Sequence, residues 1–582
     1  MPATQRARWS RLRRTLVGVL LTATVITAAP VAPISAANPG PALAVNAAAS
    51  RYPISPDIYG MNFADAALAQ ELRIPVERRG GNATSRYNWQ TNVSNTGSDY
   101  FFENIAGQQT TDQIVDADRA HGTQSIVTVP LTGYVAKASP TNHPFLCGFS
   151  VATYGAQQQT DPYDANCGNG VQPDGTLLSG NAADTSVVAD ASFVQDWVTH
   201  FVGRYGAAWA GGVRYYDLDN EPTLWNIAHR DVHPSALTYD ELNTRTQTYA
   251  PAIKAGDASA ETLGPSDWGW SAYLDTYVPG DRAAHGNVPL GQWYLQQMQA
   301  YEQSNHVRIL DYFDEHYYPQ AGGVSLGAAG DATTQALRLR STRSLWDPTY
   351  VDESWIGQVM QTIPLFHSWI DASYPGTKLA IGEYNWGGLE SINGALAEAD
   401  VLGIFGRERV DLAAIWEPPA ANQPGAYAFR IYRNYDGHGA SFGDMSVQST
   451  SGDQGKLAIY GAQRGSDRAF TLMVINKTGT DLSSPLSLTG VTPIGSAQVY
   501  RYSGANLNAI VRQPDAPMTP GGLTTTFAAN SITLLVIPTQ ANPLPPPAPT
   551  GPPQLPAPAP LPARQPPGPG LGIPAPIPMR RQ

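Results

Sequence analysis

Eight short apolar runs of strand-like composition alternate with stretches of helical spacing between residues 58 and 438. They are Ile58–Phe63, Ile74–Arg79, Ser125–Val129, Val213–Asn220, Thr262–Ser266, Leu310–Tyr318, Lys378–Glu383 and Asp411–Trp416. Strands that alternate with helices pair in parallel, and eight of them close most economically into a (β/α)8 barrel. An open doubly wound sheet is the other arrangement that this alternation allows. No GxGxxG or GxxxxGK run follows any of the eight, which argues against an open sheet built to bind nucleotides.

From residue 439 the pattern changes to short alternating runs separated by Gly, Asn, Asp and Ser turns. Lys456–Ala462, Ala469–Ile475, Ala497–Tyr502 and Ser531–Ile537 are among them, so residues 439–540 read as an antiparallel β-sandwich. The extended segment at 44–57 is expected to add a strand to it. The last 42 residues, 541–582, hold 17 of the 49 prolines and no acid, which describes an extended tail with no core to fold around.

Five arginines in residues 1–14 precede the apolar run Thr15–Ala29 and the small residues Ser35-Ala36-Ala37. This is the pattern of a secretory signal peptide over residues 1–37. The run falls short of the ~20 apolar residues of a membrane span, so a secreted protein without stable membrane insertion is expected. In an oxidising compartment Cys147 and Cys167 can close one loop; two free buried thiols are the alternative.

The formal charge is −12, and setting aside the eight arginines near the two ends takes it to −20. An acidic body repels nucleic acid and anionic polymers, so a neutral polymer or small molecule is the expected partner.

Two stretches carry the chemistry. Tyr215–Trp225 reads YYDLDNEPTLW: a strand that stops at Pro222 with Asn220 and Glu221 at its carboxyl end. Lys378–Trp386 reads KLAIGEYNW, with Glu383 at the end of an apolar run. Ligands of a parallel barrel sit at the carboxyl ends of its strands, and these are the fourth and seventh. Two acids facing one substrate from different environments are what glycosidic cleavage requires, one protonated and one ionised. Trp225, Trp268, Trp270, Trp386 and Trp416 follow or end expected strands and could stack on sugar rings. Trp386 and Trp416 are the better placed, and about half of such a set belongs to the core.

The order and length of these runs resemble glycoside hydrolase clan A, and more closely glycoside hydrolase family 44, the endoglucanases and xyloglucanases. The matching runs are ISPDIYGMNF (54–63), RRGGNATSRYNWQTNVSNTGSDY (78–100), LDNEPTLW (218–225), RDVHP (230–234), DEHYYP (314–319), STRSLWDPTYVDESWI (341–356), EYNWGG (383–388) and EADVLGIFG (398–406). The chain departs from the family's pattern at Arg78-Arg79, which stands where an Arg-Trp pair is usual, and in a tail without a recognisable dockerin or carbohydrate-binding module.

The resemblance implies a barrel with a β-sandwich and a retaining mechanism, with Glu221 as acid/base and Glu383 as nucleophile about 5 to 5.5 Å apart. The residues themselves support the pairing and not the assignment of roles. Asn220 is expected to bind the hydroxyl next to the reacting carbon. His316 and Tyr318 alternate on the sixth strand and can both face the mouth, where Tyr318 could donate to Glu383. Arg79 could act on Glu383 by charge. No cofactor is expected; a structural Ca2+ is consistent with the family, with unassigned ligands. His229 and His233 have helical spacing, but Pro234 and the lack of a third ligand argue against a metal there.

The reading is a secreted, monomeric, endo-acting β-1,4-glucanase acting on cellulose-type glucan or xyloglucan. A same-clan hydrolase of xylan or mannan shares every feature above. A non-catalytic carbohydrate-binding wall protein would be marked by loss of either glutamate, and both are present.

Overall fold

The computed structural model describes residues 37–540. The expected leader, apart from Ala37, and the proline-rich tail lie outside the described residues.

Eight parallel strands form a closed barrel in sequence order. They are Gly60–Asn62, Val76–Arg79, Gln124–Val129, Tyr215–Leu218, Glu261–Asp267, Tyr312–Glu315, Lys378–Tyr384 and Leu412–Ile415. The eighth closes on the first through Ala414 opposite Gly60 and Ile415 opposite Met61. The first strand starts later than its apolar run because Pro56–Tyr59 forms a 3-10 turn, capped where the Ser55 hydroxyl accepts from the Asp57 N–H. Pro56 favours that turn because its fixed φ suits the first helical position.

Successive strand residues point to opposite sides, so every second one enters the barrel. Val76, Ile126, Tyr215, Leu263, Tyr312, Ala380 and Leu412 make one buried apolar layer. Two residues further along lie Arg78, Thr128, Asp217 and Asp314, also buried. The barrel is thus apolar at the base and charged towards the carboxyl ends. Gly382 belongs to this layer because a Cβ there would lie 2.5 Å from Asp314 Oδ2.

The second domain is a two-layered sheet. Met445–Ser451 pairs through Met445, Ser446 and Val447 with Leu457–Gln463, and through Gln448–Ser451 with Leu43–Asn46. Most ladders are antiparallel, as the alternating runs imply. The N-terminal strands Asn38–Pro39 and Leu43–Asn46 instead run parallel to Leu482–Thr489, a correction to the wholly antiparallel sandwich. Leu43, Val45, Val447, Leu457, Ile459, Phe470, Leu472, Leu486 and Leu535 fill the space between the layers.

The other face of this sheet does not meet water. Ala458, Tyr460, Ala462, Met473 and Ile475 join the barrel's core through the helix Ile392–Arg407, which is buried from Asn393 to Gly406. Within that contact Asp400 receives Lys477 Nζ at 2.6 Å, the Tyr460 hydroxyl at 2.8 Å and the Thr342 hydroxyl at 2.7 Å. Three donors around one buried carboxylate satisfy the condition for keeping a charge out of water.

Cys147 and Cys167 form a disulfide with their Cα atoms 5.7 Å apart. It lies in the long connection after the third strand, beside the short pairing of Thr160–Asp161 with Asp164–Gly168.

Candidate active site

The barrel mouth gathers Arg78, Asn220, Glu221, His316, Tyr318 and Glu383. Glu221 follows the fourth strand where the backbone turns sharply, with φ +76° at Asp219 and +47° at Glu221. Left-handed backbone at two non-glycine residues is costly and persists only where the surroundings fix it. Here the Glu221 N–H donates to the Ser266 carbonyl at 2.9 Å, and the Asp219 carboxylate accepts from the Asn220 N–H at 2.8 Å and from Trp225 Nε1 at 3.3 Å.

Glu383 reaches the mouth by a different device. Ala380 faces the interior, so strict alternation would turn Glu383 outward. The register between the seventh and eighth strands shifts between Ile381 and Tyr384, and this bulge re-aims the side chain. Arg78 Nη1 then donates to Glu383 Oε1 at 2.5 Å and the Tyr318 hydroxyl to Oε2 at 2.8 Å.

The environments of the two glutamates differ. Burial pushes Glu221 up to about 7, with Arg78 the opposing influence. Glu383 is met by a cation and a hydroxyl donor. His316 lies between them, with Nδ1 3.1 Å from Glu221 Oε1 and 3.6 Å from Glu383 Oε2. Burial, partly offset by Glu383, takes this imidazole down to about 4, so it is neutral near pH 7. One oxygen of each glutamate and His316 Nδ1 lie within 4.8 Å of one another. Two carboxyl groups this close leave no room for a water between them and suit direct attack on the substrate, as in retaining hydrolysis.

Arg78 organises the floor. Its guanidinium pairs with Asp217 at 2.7 Å and donates to Asn220 Oδ1 at 3.1 Å as well as to Glu383. The Gly81 N–H also donates to Asn220 Oδ1, at 3.0 Å, so the amide oxygen is occupied and the amide nitrogen is the end left to meet a hydroxyl.

Several expected positions need correction. Arg79 does not face Glu383: it leaves the barrel, donates to the Thr111 hydroxyl at 3.0 Å and lies over the Tyr87 ring. Arg78 takes the place proposed for it, and the inward-facing Val76 two residues earlier was the signal for it. Trp225 is 0% exposed, sits edge-on to His233 and supports Asp219 from behind. Trp386 is also 0% exposed, stacked on Tyr317 with Nε1 donating to the Ser341 hydroxyl. Trp270 is buried beside Tyr273. None of these three presents a face to substrate. Trp268 and Trp416 are half-buried. Trp416 lies edge-to-face with Phe63 at 5.5 Å and against Gly81, where a Cβ would come within 2.7 Å of the indole.

The sequence reading missed Phe63 and Trp355, which are 43% and 48% exposed. Trp355 Nε1 donates to Gln320 Oε1, and Gln320 Nε2 donates to the Tyr318 carbonyl, which ties this indole to the mouth. It also missed Asp99, whose Oδ1 accepts from Asn82 Nδ2 at 3.0 Å. Of the two histidines at helical spacing that the sequence argued against as metal ligands, His233 Nε2 faces Glu241 Oε1 at 3.0 Å and His229 is wholly buried.

Among the described residues one other cluster could hold a cation, Glu103, His143 and Asp161, whose ligand atoms lie within 4.8 Å of one another. Ca2+ takes six to eight oxygens, whereas an imidazole with carboxylates suits Zn2+. These three residues therefore do not match the expected Ca2+ well.

The sequence profile of glycoside hydrolase family 44 matches residues 93–321. The chain is 32% identical over 521 residues to an Endoglucanase A of Paenibacillus lautus, across 84% of this chain and 71% of that protein. Among solved structures it resembles a bifunctional glucanase-xylanase protein from a metagenome library, at 41% identity and a TM-score of 0.83, covering 86% of this chain and all of the other. A family 44 xyloglucanase of Paenibacillus polymyxa, solved with xyloglucan, aligns at 30% identity with a TM-score of 0.72, over 86% of this chain and 99% of that one.

Proposed function

The chain belongs to glycoside hydrolase family 44, and from that membership we propose that Glu221 and Glu383 cleave β-1,4-glucosidic bonds within cellulose-type glucans and xyloglucan. The observation that carries the assignment of roles is the contrast between the close-set glutamates. Glu221, pushed up to about 7 by burial, holds a proton that it can donate. Glu383 is gripped by two donors, the Arg78 guanidinium and the Tyr318 hydroxyl, which aim its oxygens at the substrate.

In the first step Glu221 passes its proton to the glycosidic oxygen while a Glu383 oxygen attacks the anomeric carbon. The carbon–oxygen bond to the leaving sugar breaks, and a glycosyl ester forms on Glu383. Glu221, now ionised, takes a proton from a water that attacks the same carbon, so Glu383 is released and the configuration is retained. Asn220 offers its amide nitrogen to the neighbouring hydroxyl, where the bond strengthens as charge develops. Neutral His316 lies against both glutamates without adding a charge. Half-buried Trp416 and exposed Trp355 offer the sugar rings their faces.

The site needs no metal for this chemistry; a bound cation at Glu103, His143 and Asp161 would serve the loops. Among the described residues no helix is long and apolar enough to cross a membrane. We propose export through the N-terminal leader, and a monomer as the working unit.

Product stereochemistry tests the roles. In Glu383→Ala, azide fills the vacated space and attacks from that face, giving a glycosyl azide of inverted, α configuration. In Glu221→Ala the ester still forms from substrates whose leaving group needs no proton, and azide intercepts it to give the β product. The opposite pairing of variants and products would swap the roles; near-normal polymer hydrolysis in either variant would remove that glutamate from the mechanism.

A further inference from the structure

A third carboxyl group, which the scheme above does not use, is linked to the mouth residues from a neighbouring turn. Asp99 closes the short 3-10 turn Gly97–Asp99 in the connection after the second barrel strand. Asn82 Nδ2 donates to Asp99 Oδ1 at 3.0 Å, and Asn220 Nδ2 donates to Asn82 Oδ1 at 3.3 Å. Asn220 is in turn held by Arg78, which grips Glu383. One hydrogen-bonded line therefore runs from Asp99 to the proposed nucleophile.

The turn is fixed more firmly than a surface loop needs. Gly97 has φ +57°, and a Cβ there would lie 2.3 Å from the Ala228 carbonyl, so the turn rests on the helix that follows Glu221. Asn95 Oδ1 accepts from the Gly97 N–H at 2.9 Å and Asn95 Nδ2 donates to the Phe102 carbonyl at 2.7 Å. The Phe102 N–H returns to the Gly97 carbonyl at 2.8 Å, and the Thr96 hydroxyl donates to the Tyr100 carbonyl at 2.5 Å. Bonds on both sides of residues 97–99 hold Asp99 in one place, as a preorganised ligand contact requires. Asp99 itself is half-buried, not sealed off.

We propose that Asp99 binds a ring hydroxyl of the sugar unit held at the reacting centre, next to the hydroxyl met by Asn220, and through Asn82 keeps the Asn220 amide aimed at the substrate. A neutral sugar presents adjacent hydroxyls, each both donor and acceptor. Asn220 has only a donor to offer, because Arg78 and Gly81 occupy its oxygen. A carboxyl group beside it supplies the acceptor that a second hydroxyl needs. Burial first, and then the charges of Glu221 and Glu383, push Asp99 up to about 7. In mildly acidic solution it is therefore a carboxylic acid that can donate and accept at once. The two hydrogen bonds that link it through Asn82 to Asn220 also set it beside the reacting sugar and not at a distant part of the cleft.

This inference rests on the roles given above to Glu221 and Glu383, and its test separates the two. The inactive Glu383→Gln protein is titrated with a cello-oligosaccharide by calorimetry, alone and combined with Asp99→Asn. Asp99→Asn keeps the shape and the acceptor for Asn82 but removes the acidic proton and the charge. Weaker binding by 10-fold or more in the double variant, with a loss of at least 10-fold in kcat/KM for Asp99→Asn alone and an unchanged melting temperature, is the expected result. Asp99→Ala should cost more in kcat than in KM, since Asn82 and Asn220 then lose their anchor. Unchanged oligosaccharide affinity and kcat/KM in Asp99→Asn would overturn the proposal. So would a drop of several degrees in melting temperature with intact kinetics, which would make the residue a structural cap. Residual polymer hydrolysis by Glu383→Gln would strike the two-glutamate reading instead, and the kinetics of Asp99→Asn would still decide the role of Asp99.

Discussion

Arg78 Nη1 donates to Glu383 Oε1 at 2.5 Å while the same guanidinium pairs with Asp217 at 2.7 Å, and Arg78 and Asp217 lie wholly out of solvent. One cation is thus shared between the proposed nucleophile and a structural carboxylate. Replacing it by lysine keeps the charge but loses the planar fork that reaches Asp217, Asn220 and Glu383 together. Arg78→Lys should lower kcat/KM by about 100-fold or more, in line with losing a preorganised donor. Arg78→Ala should also destabilise the fold by about 3 to 5 kcal/mol, because buried Asp217 loses its partner. Kinetics and thermal melting on the two variants check both figures.

Activity should follow a bell in pH, with its alkaline side near 7, where Glu221 loses the proton it must give. His316 stays neutral throughout this range, since burial holds it near 4. A profile of kcat/KM that stayed level to pH 9 would contradict the assignment of Glu221 as acid.

Stability should run against pH through the same window. The folded-state value of Glu221, about 7, lies above its ordinary 4.5, so the folded protein binds the proton more tightly. That stabilisation is full below pH 4.5 and is lost as the pH rises through 7. The largest effect is about 3 kcal/mol for a shift of this size. Asp267 and Asp314, also pushed by burial to about 7, act in the same direction. Glu221→Gln should therefore abolish polymer hydrolysis while raising the melting temperature at pH 8 relative to the parent, with little gain at pH 4.5. Melting curves at the two pH values decide this.

Gly81→Ala tests the aromatic wall. Gly81 has φ +86°, and a Cβ would lie 2.7 Å from the Trp416 ring while its N–H holds Asn220. The variant should lose about 10- to 100-fold in kcat/KM, because strain of about 1 to 3 kcal/mol falls on the cleft. A normal kcat/KM would show that Trp416 has room to retreat.

Asp400→Leu probes the contact between the domains. Lys477 would be left buried without its partner, at a cost of about 3 to 5 kcal/mol. The melting temperature should fall while KM for soluble substrate stays level, since no part of the mouth is touched. For substrate choice, reducing-sugar assays on carboxymethylcellulose, xyloglucan, xylan and mannan should rank the two glucans first.

The barrel was legible because each strand is a compact apolar run, and the two glutamates because each ends such a run. What escaped depends on which way a side chain turns. Arg78 and Arg79 are chemically equivalent in sequence, and only the inward parity of Val76 separates them. Glu383 breaks that parity through a bulge, which no local signal announces. Trp225 and Trp386 follow strands as Trp416 does, yet they fold back into the core; position after a strand does not encode the path of a loop. The parallel pairing of Leu43–Asn46 with Leu482–Thr489 is set by tertiary packing and has no local signature.

That pairing bears on how the molecule is assembled. Leu43–Asn46 is held between Met445–Ser451 and Leu482–Thr489, so contacts such as the Ser487 hydroxyl on the Leu43 carbonyl span 444 positions. During synthesis the strands at Asn38–Pro39 and Leu43–Asn46 must wait for strands more than 400 residues later before they find neighbours. Such long-range closure slows folding and lengthens the time for which strand edges are unprotected. The second domain works as a clasp made from both ends of the described chain, so cutting the protein near residue 440 would open the clasp and not yield a free-standing barrel.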